Sequence, residues 1–174
     1  MVTLRFKKTL DAGASLTLIR QDGSTAWIPI GPVDGVGPMH GLAHVVVERQ
    51  LLLSRALLGR VAQGDVFTGV GDRVAGRIGP DAVRAEAVAG LLSVEAMSGR
   101  PLTLSAFNDA VQERCGEMRA GCRAPDLTPT ALHALRSELA SLRREWEMLE
   151  PGATLELRFG AIGSWSEPAS SGTK

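Results

Sequence analysis

The chain contains no tyrosine, four phenylalanines, three tryptophans and two cysteines, and neither charge is in excess. Nineteen Lys and Arg against nineteen Asp and Glu give a formal net charge of zero over 174 residues. A balanced chain is not built to hold nucleic acid or an anionic membrane by bulk electrostatics. Scarce aromatics also remove the stacking platforms on which strand-face readers of single-stranded nucleic acid depend. Arg5, Lys7, Arg20 and Arg158 fall on polar strand positions, but Glu156 offsets them and Phe6 and Phe159 fall on the apolar side. Nucleic acid is therefore not an expected partner. No run of 18 apolar residues exists, so no membrane span is expected. The start of the chain alternates Val2, Leu4 and Phe6 with Thr3, Arg5 and Lys7, unlike the apolar block of a signal peptide.

Other absences narrow the chemistry. Cys115 and Cys122 have neither redox CxxC nor zinc-knuckle spacing. On one continuous helix they would stand about 10 Å apart, too far for a disulfide, so two reduced structural thiols in a cytoplasmic setting are expected. The glycine-rich stretch 64–79 lacks the strand–helix context of a dinucleotide fingerprint and has no GK[ST]. It reads as a surface loop. No GxSxG elbow appears, and His133 reads as an exposed surface residue.

What is present organises the chain. Strand-like alternation at 2–7 is followed by runs at 16–20 and 26–30, joined by the turn Gln21-Asp22-Gly23-Ser24. Pro29 marks the third run as an edge or as ending there. The pattern Thr154-Leu155-Glu156-Leu157-Arg158-Phe159 repeats the polarity of the first strand and is expected to pair with that N-terminal meander. Between them, four helices are predicted. The first covers 38–63, apolar all round and hence central and buried. The second covers 80–97, and the third 106–119, capped by Thr103 or Ser105. The fourth begins at Pro129 after Thr128, with a seam of Leu132, Leu135, Leu139, Leu142, Trp146 and Leu149. That seam is expected to lie against the third helix, with a homodimer contact as the alternative. The prediction is an α+β domain over 1–160: a four-stranded antiparallel sheet covered on one face by about four helices. A flexible tail at 161–174 follows.

One feature of the first helix calls for chemistry. His40, His44 and Glu48 are four residues apart and form a stripe on an otherwise apolar helix. Ionisable groups in such a place are costly to bury unless paired or coordinated. Two histidines at i and i+4 can share one divalent metal such as zinc. His40 and Glu48 are about 12 Å apart along the axis, so one ion would take an adjacent pair of the stripe plus further ligands. Glu86 and Glu95 on the second helix are the candidates. The competing reading pairs His44 with Glu48, with Arg55 neutralising the carboxylate.

The stretch 40–64 resembles the central motif of a family of small uncharacterised bacterial proteins, His-Asp-Leu-x-His-x-x-Val-Glu. His40, Leu42, His44, Val47 and Glu48 match it, as do Arg55, Gly59, Ala62 and Gly64. The resemblance takes in the hairpin at 16–27, Ala85-Glu86, Gly90-Leu91-Leu92, Glu95 and the closing strand. This chain departs from it at Gly41, where the motif has aspartate. The resemblance implies an architecture and a bacterial origin but no activity. Two functions follow from the residues. One is a non-enzymatic binding or regulatory domain of the cytoplasm, contacting a protein or small ligand as monomer or homodimer. The other is a metal-binding protein or metal-dependent enzyme of hydrolytic or redox type, using the stripe. No catalytic residue can be assigned from the sequence alone.

Overall fold

The computed structural model describes residues 1–10, 13–30, 37–64 and 79–160. The glycine-rich stretch 65–78 and the tail 161–174 lie outside the described residues. Four strands, β1 (Val2–Lys8), β2 (Ala14–Arg20), β3 (Thr25–Ile30) and β4 (Thr154–Phe159), form an antiparallel sheet in the order β3-β2-β1-β4. Period-two alternation sends Val2, Leu4, Phe6, Leu16, Leu18, Leu155, Leu157 and Phe159 to one buried face. Leu4 stands opposite both Leu18 and Leu157, and Phe6 opposite Leu16 and Leu155, so the apolar rows run unbroken across three strands. On the other face Arg5 reaches Glu156 at 2.8 Å, an exposed pair that adds little stability. The expected closing strand and the edge position of β3 are both found.

Among the described residues there are five helices, α1 (Pro38–Gln50), α2 (Leu57–Ala62), α3 (Pro80–Ser98), α4 (Leu104–Met118) and α5 (Pro129–Met148), of which α1 meets the buried face of the sheet at Phe6 and Ile30. Proline stands in the first turn of α1, α3 and α5, where its missing N–H costs nothing. Thr103 and Thr128 accept from the amides of Ala106 and Ala131 as N-caps, and Gly99 ends α3 at φ 66. Among the described residues no helix is long and apolar enough to cross a membrane.

Two expectations require correction. The continuous helix over 38–63 is two helices. The chain leaves α1 after Gln50, Leu52 adopts φ 55, and α2 begins at Leu57. No glycine or proline marks this break; long-range contacts make it, among them the Arg20 guanidinium donating to the Val61 carbonyl at 2.8 Å. The seam of α5 is buried as expected at Leu132, Leu135, Leu139, Leu142 and Trp146. It packs chiefly on α1, while α4 packs on α3. A seam fixes which face is buried, not which neighbour buries it. Of the two cysteines, only Cys115 lies on a helix, since α4 ends at Met118 and the chain turns through Gly121 at φ 74 before Cys122. Both thiols are buried and free. Burial, with the neighbouring Cys122 thiol, pushes Cys115 up to about 11, which keeps it protonated and unreactive at neutral pH.

Candidate metal centre

α1 lies between the sheet, α3 and α5, so seven consecutive residues from Leu42 to Glu48 are buried. Its apolar side chains meet these neighbours, and His40 and His44 of the stripe face α3, while Glu48 reaches the start of α2. The two helices are antiparallel, with His40 beside Ser93 and His44 beside Glu86. Glu86 and Ser93 are seven residues apart, two helical turns, and therefore share one face.

His44 sits between two carboxylates. Its Nδ1 is 3.2 Å from Glu48 Oε1, and its Nε2 is 3.1 Å from Glu86 Oε2. His40 Nε2 approaches the other oxygen of Glu86 at 3.4 Å, and His40 Nδ1 is 3.2 Å from Ser93 Oγ. The Ser93 hydroxyl donates to the Ala89 carbonyl at 2.6 Å, so its lone pair is what faces His40 Nδ1. That bond makes Nδ1–H the donor and leaves His40 Nε2 directed at Glu86. The two rings meet edge to face, 4.8 Å between centroids. His40 and His44 have side chains only 13% and 10% exposed, while Glu86 is 45% exposed, so the group is dry on the α1 side and open past Glu86.

One ligand atom from each of His40, His44 and Glu86 lies within 4.8 Å of the other two. Zinc bonds of about 2.0–2.1 Å at tetrahedral angles place ligand atoms about 3.3 Å apart. The two histidine–carboxylate separations, 3.1 and 3.4 Å, are of that order but run to different oxygens of Glu86, so the carboxylate would turn by a small amount to share one ion with both rings. Two imidazole nitrogens and one carboxylate oxygen are a donor set that suits divalent transition metals and leaves positions free for water or substrate. These three residues could hold a metal ion.

Without an ion the group satisfies itself electrostatically. Burial pulls the His44 pKa down, but hydrogen bonds and charge from Glu48 and Glu86 outweigh it and raise the imidazole to about 9. Burial would raise Glu86, yet the two histidines hold its carboxyl well below the usual carboxylate range. Among the described residues no buried side-chain nitrogen or oxygen lacks a partner.

Of the five residues proposed from the sequence, three converge and two do not. Glu48 is fully buried behind His44, on the nitrogen that faces away from Glu86. Its second oxygen accepts the amides of Leu58 at 2.7 Å and Gly59 at 3.2 Å, at the start of α2. These amides and His44 occupy the position expected for Arg55, which is exposed in the turn before α2. Glu95 is nine residues from Glu86, which turns it about 180° around α3. There it takes a bidentate bond from Arg136 of α5 at 2.9 and 2.7 Å and accepts the Leu102 amide at 2.6 Å. Breaking this partly buried pair by Glu95→Ala is expected to cost about 2 kcal/mol in urea unfolding, since the Arg136 side chain keeps some access to water. Zinc affinity should stay unchanged, since Glu95 faces away from the histidines.

No family model matches the chain, and no curated protein or solved structure does either. The reading of the site therefore rests on its own chemistry. Sequence reasoning missed Ser93, although a serine two turns beyond Glu86 in an alanine- and leucine-rich helix was a signal for it. Gly41 also has a structural explanation. A Cβ there would stand 3.0 Å from Phe6 Cε1 and 3.2 Å from Ile30 Cδ1. Position 41 faces the sheet, and a carboxylate at this place would not reach the histidines.

Proposed function

We propose that the protein binds one divalent transition metal, zinc being the reference case, through His40 Nε2, His44 Nε2 and Glu86. The observation that carries the reading is the convergence of these three ligand atoms from two antiparallel helices. The exposed side of Glu86 leaves room for water or a small ligand in the remaining coordination positions. That openness favours a reactive or ligand-exchanging centre over a closed structural one, and hydrolysis is the chemistry that such a centre supports most simply.

A second reading has its own support. Glu48, His44 and Glu86 form a complete ion triad without metal, which fits a metal-free binding or regulatory domain acting through protein or small-ligand contacts.

Zinc titration against a chromophoric chelator separates the two. The metal reading expects one equivalent bound by the wild-type protein. It expects His40→Ala, His44→Ala and Glu86→Gln each to weaken binding by more than the roughly 10–100-fold typical of losing a supporting residue. Absence of binding, or equal binding by folded variants, would favour the structural triad.

A further inference from the structure

We infer that Glu48 is a positioning residue: pinned by the first amides of α2, it fixes which ring nitrogen of His44 is presented to a metal. The inference rests on the metal reading above and goes beyond the ligand set to what holds it. Each oxygen of the fully buried Glu48 carboxylate has a distinct duty. Oε2 accepts two backbone amides, Leu58 at 2.7 Å and Gly59 at 3.2 Å, and Oε1 faces His44 Nδ1 at 3.2 Å. A carboxylate in this place can only accept, so Nδ1 carries the hydrogen and Nε2 presents its lone pair to the ion. The break between α1 and α2 acquires a purpose in this arrangement. It brings two amide donors to one oxygen of Glu48, which prevents the carboxylate from swinging onto the metal as a ligand. Ser93 does the same for His40 through its lone pair.

This role makes a sharp statement about Glu48→Gln, a change that preserves shape. The introduced amide has one acceptor and one donor end. Its carbonyl must face the Leu58 and Gly59 amides, because an NH2 group there would meet two donors. Its NH2 must then face His44 Nδ1, which becomes the acceptor, and the hydrogen moves to Nε2. The ligating nitrogen is thereby blocked while the contacts that shape α2 remain.

The test is a zinc titration of wild type and Glu48→Gln, combined with long-range 1H–15N correlation spectra of the histidine rings. The expected result is a loss of zinc affinity of about 10–100-fold in the variant. Its His44 ring should show Nε2–H with unprotonated Nδ1, and the Leu58 and Gly59 amides should keep their hydrogen-bonded shifts. In zinc-loaded wild type the His44 ring should show Nδ1–H and a coordinated Nε2, a measurement that stands even if the variant fails to fold. Zinc bound by wild-type His44 through Nδ1, or undiminished affinity in a folded variant, would overturn the positioning role alone. No zinc binding by wild type would overturn the metal reading, and this role with it.

Discussion

Gly59→Ala is expected to be among the most damaging single substitutions in the described structure, lowering stability by at least about 3 kcal/mol in denaturant unfolding. A Cβ at this position would overlap the Ser54 carbonyl oxygen and lie 2.6 Å from its carbon. Those are backbone atoms, so relief requires the turn between α1 and α2 to open. Opening withdraws the Leu58 and Gly59 amides from Glu48 and leaves a buried carboxylate short of partners. Gly116→Ala supplies the contrast. That glycine is exposed within α4 and a Cβ there meets nothing within 4 Å, so the change should stabilise by about 0.5–1 kcal/mol. If Gly59→Ala unfolded within 1 kcal/mol of wild type, on the order of an ordinary surface change, the close packing of this turn would be refuted.

The second large effect is on pH. In chelator-treated protein, His44 is raised from 6.5 to about 9. A group whose folded pKa lies above its unfolded value stabilises fully below the unfolded pKa. That contribution is lost as pH rises through the folded one. The His44 contribution is therefore present at pH 6 and fades between about 6.5 and 9, by roughly 3 kcal/mol for this buried ring. Glu86 shifts in the opposite direction. Its contribution is present above the ordinary carboxylate pKa of about 4.5 and lost as pH falls below it. The triad is thus most stabilising near pH 5–6. Urea midpoints of wild type and His44→Gln, measured from pH 5 to 9 with chelator, should converge as pH rises. Parallel curves would show that His44 is not held as a cation.

Much of the fold was legible because its signals are local. Alternation at Val2, Leu4 and Phe6 and again at Leu155, Leu157 and Phe159 fixes one dry face regardless of what covers it. Pro38, Pro80 and Pro129, with Thr103 and Thr128, announce helix starts through the geometry of a first turn. The break after Gln50 was not legible. Leu51, Leu52 and Leu53 continue a helical composition, and Leu52 nevertheless takes φ 55 with 58% of its surface exposed. Its cause lies in the contacts Glu48 and Arg20 make with α2, which no local pattern reports.

The candidate site divides along the same line. The i, i+4 spacing of His40 and His44 placed two imidazoles on one face of α1, and helix arithmetic makes Glu86 and Ser93 share a face of α3. The same arithmetic turns Glu95 to the opposite side, where Arg136 holds it. What spacing could not give is the antiparallel pairing of α1 with α3, which sets His44 against Glu86 and His40 against Ser93. Nor could it divide the duties of Glu48 and Glu86, since both lie in reach of His44 and only the α2 amides decide between them.

The most direct test of the metal centre is zinc K-edge X-ray absorption on protein loaded with one equivalent, comparing wild type with His40→Ala. The structure leads us to expect two imidazole nitrogens at about 2.0–2.1 Å and a carboxylate oxygen at about 2.0–2.2 Å. The outer-shell scattering of one imidazole should disappear in the variant. A wild-type spectrum of oxygen ligands alone, or one that His40→Ala leaves unchanged, would contradict the assignment of His40, His44 and Glu86 as a metal centre.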